Sequence, residues 1–309
     1  MEHVTSSAPA RVASERAVAA WRATFSSYLG LMKPHVTVLL LGTTLAAMAI
    51  AGTGLPPFTV VLATMVGGLF AAGSANAINC WYDRDIDRLM SRTKSRTLPA
   101  GRVSDTHALI FGVVIGALSF IILGIGANWL AAALALAAIL FYVFIYTMWL
   151  KRSSTQNIVI GGAAGAVPVL VGWAAATGRV DWAAFWMFAI IFMWTPPHFW
   201  ALSIVLKKDY ARAGVPMLPV VKGESATYRQ ITLYTVLLLA VSLPLYFSHA
   251  LGVIYLVSAL ALGGGLFVLS LRLMRIRTLK EARRVFWFSN YYLALLFAAM
   301  VVDHIFLAH

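Results

Sequence analysis

The segment 79–87 carries three oxygen-bearing side chains spaced four residues apart, on Asn79, Asp83 and Asp87. A helix turns about 100° per residue, so these positions lie within about 80° of one another on one face. An apolar run over 58–78 comes directly before them, which places the stripe where a helix leaves a membrane. Amide and carboxylate oxygens suit Mg²⁺ when substrate phosphates complete its shell. The stripe predicts a metal–diphosphate site, and the alternative is a charged helix end balanced by nearby arginines.

Basic side chains close to these acids are suited to an anionic ligand. The loop after the stripe contains Arg92, Lys94 and Arg96. Arginine binds phosphate oxygens as a planar fork and lysine binds them as a point charge, so a diphosphate bridged by Mg²⁺ would satisfy acids and cations together. Another group, at the inner end of the fourth apolar segment, contains Tyr146, Lys151 and Arg152, and the residues alone favour a plain membrane anchor there. Lys207 and Lys208 begin the second long connection.

Asp209 and His198 are two further candidate site residues. Asp209 is the only acid between Lys207 and Glu224, and it could complete the metal site or simply pair with a lysine. His198 lies inside an apolar run, where a histidine is a functional candidate as a metal ligand or as a contact for a charged intermediate. The alternative is a histidine satisfied by a neighbouring helix. Pro196 and Pro197 precede it and predict a break in the helix.

The composition predicts an all-α, polytopic membrane protein. Of 309 residues, 61% are hydrophobic and only 11% are charged, whereas a soluble domain carries about 25% charged residues. The single cysteine, Cys80, excludes an intrachain disulfide and is interpreted as a small packing residue. Nine apolar segments can be drawn, at about 34–52, 57–80, 107–126, 128–149, 156–177, 182–205, 230–248, 251–271 and 286–307.

The basic residues set the predicted orientation of these nine helices. All of the 24 lysines and arginines except Arg179 fall on one side, which the positive-inside rule makes the cytoplasmic side. The amino terminus is then inside and the carboxyl terminus outside. The net charge of +13 is mainly a topology signal, and nucleic-acid binding is not expected.

The long connections lie on this inner side, over 81–106 and 206–229, and favour a site there. Glycines at 161, 162 and 165 predict close helix packing. Residues 1–27 are expected to form a flexible cytoplasmic arm, with a short transit peptide as the weaker reading. Residues 28–309 are expected to form a single transmembrane domain.

Several strings give this chain a family resemblance. The spacing of Asn79, Asp83 and Asp87 resembles the first motif of the UbiA superfamily of intramembrane prenyltransferases. The strings TPPHFWALS at 195–203 and KKDYARAGVPMLPVV at 207–221 are similar to the branch of that superfamily that modifies haem. The resemblance covers about residues 28–307 and implies a nine-helix bundle whose central cavity opens to the cytoplasmic side.

The resemblance also implies the ligands and the roles of the candidate residues. Farnesyl diphosphate and haem B would be substrates and Mg²⁺ the cofactor, with Asn79, Asp83, Asp87 and Asp209 holding the metal. Asp83, Asp87 and Asp209 would be the catalytic acids, and the basic residues together with Asn79 and Tyr146 would contact the diphosphate. Many members carry two acids four apart in the second motif, whereas position 213 is alanine here. His198 would face the porphyrin.

The activity implied is transfer of farnesyl to a vinyl group of haem B, with water capture, giving haem O and diphosphate for haem A biosynthesis. The implied location is the cytoplasmic membrane of a bacterium, rather than a mitochondrial inner membrane, with haem A synthase or a terminal oxidase assembly as partners besides lipid. One alternative is a prenyltransferase acting on an aromatic quinone precursor. The other is a haem-binding or transport protein without catalysis, which acids at one interface disfavour because transporters place such groups near the midplane.

Overall fold

The computed structural model describes residues 21–52, 54 and 56–307, and this part of the chain is helical and contains no β-strand. Eight of its helices are long and apolar enough to cross a membrane, and nine spans result when a bent pair at the start is one span. This confirms the all-α, polytopic prediction. The helices that position the site are α1 (Trp21–Met32), α2 (Pro34–Ile50), α3 (Phe58–Tyr82), α4 (Arg84–Leu89), α5 (Asp105–Gly126) and α6 (Trp129–Leu140).

The second half of the chain continues the same bundle. After α6 comes a π-helix (Phe141–Leu150), and the helices that follow are α7 (Lys151–Ser153), α8 (Asn157–Thr177), α9 (Trp182–Val205), α10 (Lys207–Arg212), α11 (Leu218–Val221), α12 (Glu224–Ser242), α13 (Pro244–Phe247), α14 (Val253–Ile276) and α15 (Leu279–Leu307). The two long connections, over 81–106 and 206–229, therefore contain α4, α10 and α11 rather than irregular chain. Most of the basic residues between 272 and 284 lie at the ends of α14 and α15.

The first span is bent by 54° between α1 and α2. Lys33 stands at the bend in the left-handed conformation, with φ 51° and ψ 62°. Pro34 follows it, and a residue before proline is driven out of the right-handed helical region by the proline ring. The described helix α1 already includes residues 21–27, so the boundary expected at residue 27 falls inside it. Residues 1–20 of the expected arm lie outside the described residues.

The acid stripe crosses the junction between α3 and α4. Asp83 stands between the two helices with φ −87° and ψ 6°. The helical hydrogen bonds persist there, since Asp83 N–H donates to the Asn79 carbonyl at 2.9 Å and Asp87 N–H donates to the Asp83 carbonyl at 2.8 Å. The three side chains thus remain on successive turns, as the spacing predicted.

Close packing is confirmed at two of the three predicted glycines of α8, Gly161 and Gly162, whereas a Cβ on Gly165 would meet no atom within 4 Å. A Cβ on Gly161 would overlap the ring of Tyr146, and one on Gly162 would lie 2.8 Å from Cγ2 of Thr195 on α9. Cys80 is buried, as expected of a packing residue.

The break predicted at Pro196 and Pro197 is wrong, because α9 runs without interruption from Trp182 to Val205. This helix packs against α8, α12 and α15 and is the most buried of the described spans. Prolines remain inside membrane helices when neighbouring helices and nearby hydroxyl groups support the freed backbone. The Thr195 hydroxyl donates to the Ile191 carbonyl at 2.8 Å in the turn before the prolines. Packing therefore holds the helix together where local chemistry favoured a break.

Candidate active site

Asp83 is the centre of a buried group of charges. Its Oδ2 accepts hydrogen bonds from Asn79 Nδ2, at 2.7 Å, and from Lys151 Nζ. Its Oδ1 lies 3.5 Å from an Arg152 nitrogen but accepts no hydrogen bond within the described part of the chain. The side chain is 1% exposed. A carboxylate buried to this degree requires a compensating charge, and Lys151 supplies it.

Asp87 is bound by a cation from the following loop. Arg96 Nη1 donates to Asp87 Oδ1 at 3.1 Å and to Oδ2 at 2.9 Å. Burial alone would lower the pKa of the Arg96 guanidinium, but the charge and hydrogen bonds of Asp87 raise it. The Thr93 hydroxyl also donates to the Asp87 carbonyl at 2.9 Å, so the loop is fastened at two points. Arg96 is thus beside the acid stripe, where a cation for an anionic ligand was expected.

Asn79 connects the stripe to two elements that the sequence did not single out. Its Oδ1 accepts from Lys33 Nζ at 3.0 Å, and its Nδ2 also lies 3.2 Å from the Thr147 hydroxyl of the π-helix. Lys33 counted only as a topology cation in the sequence. Its position before Pro34, at the foot of the first span, was the available signal, but it does not distinguish a site residue from an anchor.

Arg152 turns mainly toward Asp85, on the other side of the helix. Two of its nitrogens bind the Asp85 carboxylate at 2.7 and 2.8 Å, and the guanidinium lies 4.7 Å from the centroid of the Tyr82 ring. The hydrogen bonds from Arg152 lower the pKa of Asp85 to about 2. Asp85 is more than half exposed, so this pair contributes little to stability. Arg152 therefore lies at the rim of the site and Lys151 inside it.

Asp209 is engaged by the loop that follows α4. Its Oδ2 accepts from the Ser91 hydroxyl at 2.5 Å, and backbone N–H groups of Ser91 and Arg92 also donate to the carboxylate. These hydrogen bonds, with Arg212 at 3.8 Å, lower the pKa of Asp209 despite its burial. A lowered pKa means that the contact stabilises the fold above the ordinary value of 3.8 and is lost as the pH falls through the folded-state value. Asp209 thus links the connection over 206–229 to the loop that follows α4.

The remaining diphosphate candidates are half-buried or exposed. Tyr146 is half-buried and packs against Gly161. Lys207 is also half-buried and pairs with Glu224 at 2.9 Å. Lys94 and Lys208 are exposed.

His198 is enclosed by aromatic rings on α9 and α15. Its ring centroid lies 4.3 Å from that of Trp194 and 4.8 Å from that of Phe286. Its Nδ1 lies 2.8 Å from the Ser289 hydroxyl. One ring nitrogen therefore has a partner on a neighbouring helix, which is the arrangement expected of a structural histidine.

The donor set of the stripe suits Mg²⁺. Asn79, Asp83 and Asp87 supply only oxygen ligands, and Oδ1 of Asp83 is a buried oxygen without a hydrogen bond. No group of three or more His, Cys, Asp or Glu side chains that could hold a metal occurs among the described residues, so Asp209 does not join Asp83 and Asp87 in such a group. A site with two carboxylates and an amide matches the preference of Mg²⁺ for few protein ligands and several substrate phosphates.

A helical bundle of membrane spans with acids and cations buried at one end is the architecture of an intramembrane prenyltransferase. Residues 40–297 match the model of the UbiA prenyltransferase family. The chain is 53% identical over 295 residues to "Protoheme IX farnesyltransferase" of Gloeobacter violaceus, covering 95% of this chain and 97% of that protein. The protein of the same name from Symbiobacterium thermophilum is 53% identical over 278 residues, covering 89% of this chain and 93% of that protein. The chain therefore belongs to the UbiA prenyltransferase family.

Solved structures show the same fold at lower identity. A structure of digeranylgeranylglyceryl phosphate synthase superposes with a TM-score of 0.76 at 19% identity, covering 91% of this chain and 99% of that one. A UbiA homolog from Archaeoglobus fulgidus bound to DMAPP and Mg²⁺ gives a TM-score of 0.63 at 16% identity, covering 89% and 99%. These likenesses confirm the expected helical membrane bundle, and the opening of a central cavity to the cytoplasmic side stays a prediction.

Proposed function

We propose that this chain transfers the farnesyl group of farnesyl diphosphate to a vinyl group of protohaem IX (haem B). The products are haem O and diphosphate, and the reaction is a step of haem A biosynthesis. The observation that carries the proposal is the 53% identity to relatives of that name over 95% of the chain. The buried stripe of Asn79, Asp83 and Asp87 supports it with oxygen ligands for the Mg²⁺ that would stabilise a diphosphate leaving group.

The site residues have different roles in releasing the diphosphate. Asn79, Asp83 and Asp87 would hold Mg²⁺, which would neutralise charge on the diphosphate. Asp209 from the second motif would act by holding the loop that carries Arg92, through its bond with Ser91. Lys151 and Arg96 lie against the carboxylates of the stripe, and as cations they would donate hydrogen bonds to the leaving diphosphate. Arg92, Lys94, Arg152, Lys207 and Lys208 complete the cations around the entrance, and Tyr146 lines the interior.

The reaction breaks the bond between the farnesyl C1 and its oxygen, and the electron pair leaves on the diphosphate. The allylic cation is then attacked by the vinyl group of haem. Water adds to the resulting cation and loses a proton, which gives the hydroxyethylfarnesyl side chain. The helices around the site exclude other water, which protects the allylic cation from early capture. His198 is proposed to contact the porphyrin, with its ring held by Trp194 and Ser289.

The proposed setting is the cytoplasmic membrane of a bacterium. The amino terminus and the acid stripe are on the cytoplasmic side, the central cavity opens there, and the carboxyl terminus is outside. Residues 28–309 form the single catalytic domain and residues 1–27 precede it on the inner side. Haem A synthase or a terminal oxidase assembly is the proposed protein partner, because these would receive or use the product.

The test is mass analysis of haem extracted after the purified protein is incubated with labelled farnesyl diphosphate, haem B and Mg²⁺. We expect a labelled product with the mass of haem O. Labelled product from an aromatic acid in place of haem would favour the quinone-precursor alternative. Haem binding without any labelled product would favour the non-catalytic alternative.

The first mutational prediction concerns Asp83. Asp83→Asn removes the negative charge but keeps the side-chain shape, and we expect turnover to fall by at least about 100-fold because charge stabilisation of the leaving group is lost. The matched control is Asp105→Asn, which removes an acid paired with Arg84 at 2.7 Å on the surface. The control should keep near-normal turnover. Retained activity in Asp83→Asn would contradict the metal–diphosphate assignment.

A further inference from the structure

Asn157, the first residue of α8, is a buried asparagine whose side-chain amide has no hydrogen-bond partner among the described residues. It is 1% exposed, and within the described ranges neither its Nδ2 nor its Oδ1 has a hydrogen-bond partner. Buried amides nearly always have partners, because an unpaired donor or acceptor reduces stability. Asn76 shows the ordinary case, since it is also buried and its Nδ2 donates to the Met32 carbonyl at 3.1 Å. The unpaired amide of Asn157 is therefore available to bind a ligand.

Asn157 is connected to the acid stripe through the preceding short helix, whose Lys151 binds Asp83. It follows the one-turn helix that carries Lys151 by four residues. Gly161 lies one turn further along the same face of α8 and packs against the ring of Tyr146. Gly165 lies one turn beyond, and a Cβ there would meet no atom within 4 Å. The face that begins at Asn157 thus runs past Tyr146 to open space.

The start of this face favours an anion. Lys151, six residues before Asn157 in the chain, supplies a cation at the site. Asn157 also opens a helix of 21 residues, and the free N–H groups and dipole at a helix amino terminus attract negative charge. An amide N–H at this point would donate to an anionic oxygen.

We propose that Asn157 binds the diphosphate of the prenyl donor, with Nδ2 donating a hydrogen bond to a diphosphate oxygen. It holds the leaving group near Lys151, so that the cation is placed against the bond that breaks. The proposal rests on the proposed function, because it takes the prenyl diphosphate as the ligand of the site. It adds to that site a residue outside both aspartate motifs.

The test compares two asparagine variants of the full chain purified in detergent. Asn157→Leu replaces the unpaired amide by an apolar group of similar size, and Asn76→Leu does the same to a paired amide. Thermal unfolding is measured without ligand, and binding is measured for farnesyl S-thiolodiphosphate, an unreactive donor analogue, and for inorganic diphosphate. We expect Asn157→Leu to keep or raise the Tm and to weaken binding of both probes by about 10- to 100-fold. Asn76→Leu should lower the Tm.

Two outcomes would overturn the proposal. A Tm of Asn157→Leu that falls as far as that of Asn76→Leu, or a failure of the variant to fold, would show that the amide is structural. An unchanged Tm with unchanged binding of both probes would show that the ligand does not touch it.

Failure of the proposed function gives different results. A chain that takes no prenyl diphosphate would bind neither probe in its wild-type form, and the thermal comparison would still decide whether Asn157 has a structural partner. A prenyltransferase with another acceptor would bind both probes but give no labelled haem product. If the wild type and Asn157→Leu bind both probes equally well, only the assignment of Asn157 is wrong.

Discussion

Among the ion pairs described for the acid stripe, that of Asp83 and Lys151 is the most deeply buried. The Asp83 side chain is 1% exposed and that of Lys151 is 17% exposed, so neither charge is well hydrated. Loss of one partner from such a pair leaves the other charge uncompensated, which costs about 3–5 kcal/mol. The pair therefore links the stability of the ligand-free protein to the chemistry of the site.

A lysine variant tests this link. We expect Lys151→Met to reduce the stability of the ligand-free protein by about 3 kcal/mol, measured by thermal unfolding. Added Mg²⁺ should recover more stability in the variant than in the wild type, because the metal supplies the missing positive charge to Asp83. The control is Lys207→Met, which breaks a half-exposed pair with Glu224 and should cost about 1 kcal/mol or less. Equal responses to Mg²⁺ in the variant and the wild type would contradict the assignment of Asp83 as a metal ligand.

Individual residues were predictable where the contact is local. The spacing of the stripe and the presence of Arg96 in the next loop sufficed to place Asp87 beside a cation, nine residues away. Lys33 and Ser91 were missed because their partners are distant in sequence, 46 residues from Lys33 to Asn79 and 118 from Ser91 to Asp209. Only the packing of whole helices brings such pairs together.

Among the helices, the membrane spans were predictable from the sequence, whereas the π-helix and the continuity of α9 were not. Apolar runs are long and continuous, so they give the helices directly. The π-helix at 141–150 has no composition that separates it from an α-helix, and the continuity of α9 through two prolines depends on its neighbours. Local preference decides where a helix is possible, and packing decides its geometry.

The hydrogen bond between Ser91 and Asp209 joins the two long connections, over 81–106 and 206–229. A serine variant tests whether it holds them together. We expect Ser91→Ala to loosen the loop that carries Arg92, Lys94 and Arg96, because a hydrogen bond to a charged group contributes about 1.5–3 kcal/mol. Limited trypsin digestion at these basic residues should become several-fold faster. Ser95→Ala is the control, since Ser95 is an exposed serine of the same loop. Equal digestion rates for the two variants would show that the contact does not hold the loop.

For the whole molecule, composition and the placement of charge gave the class and the number of spans. The eight described spans and the bent first pair agree with nine apolar segments drawn from the sequence. The orientation of these spans in the membrane stays a prediction, which rests on the concentration of basic residues at one set of helix ends.

Cysteine labelling tests the orientation. Cys80, the only cysteine, is buried, so the background labelling should be low. Ser95→Cys and Arg179→Cys place a thiol at exposed positions in connections that open on opposite sides. In intact cells, an impermeant maleimide should label Arg179→Cys and spare Ser95→Cys, with the reverse in inverted vesicles. The opposite pattern would place the acid stripe outside.

The π-helix has a consequence for how the chain tolerates change in length. A π-turn accommodates an extra residue relative to an α-helix, and each residue corresponds to about 100° of rotation. Lys151 directly follows this segment and reaches Asp83 from it. A one-residue deletion within 141–150 that restored regular α-helix would therefore keep Lys151 facing Asp83. A one-residue deletion in the α-helical part of the same span, where no π-turn absorbs it, would leave every candidate site residue present but turn Lys151 away from its carboxylate. The length of this span thus matters to the site as much as the residues themselves.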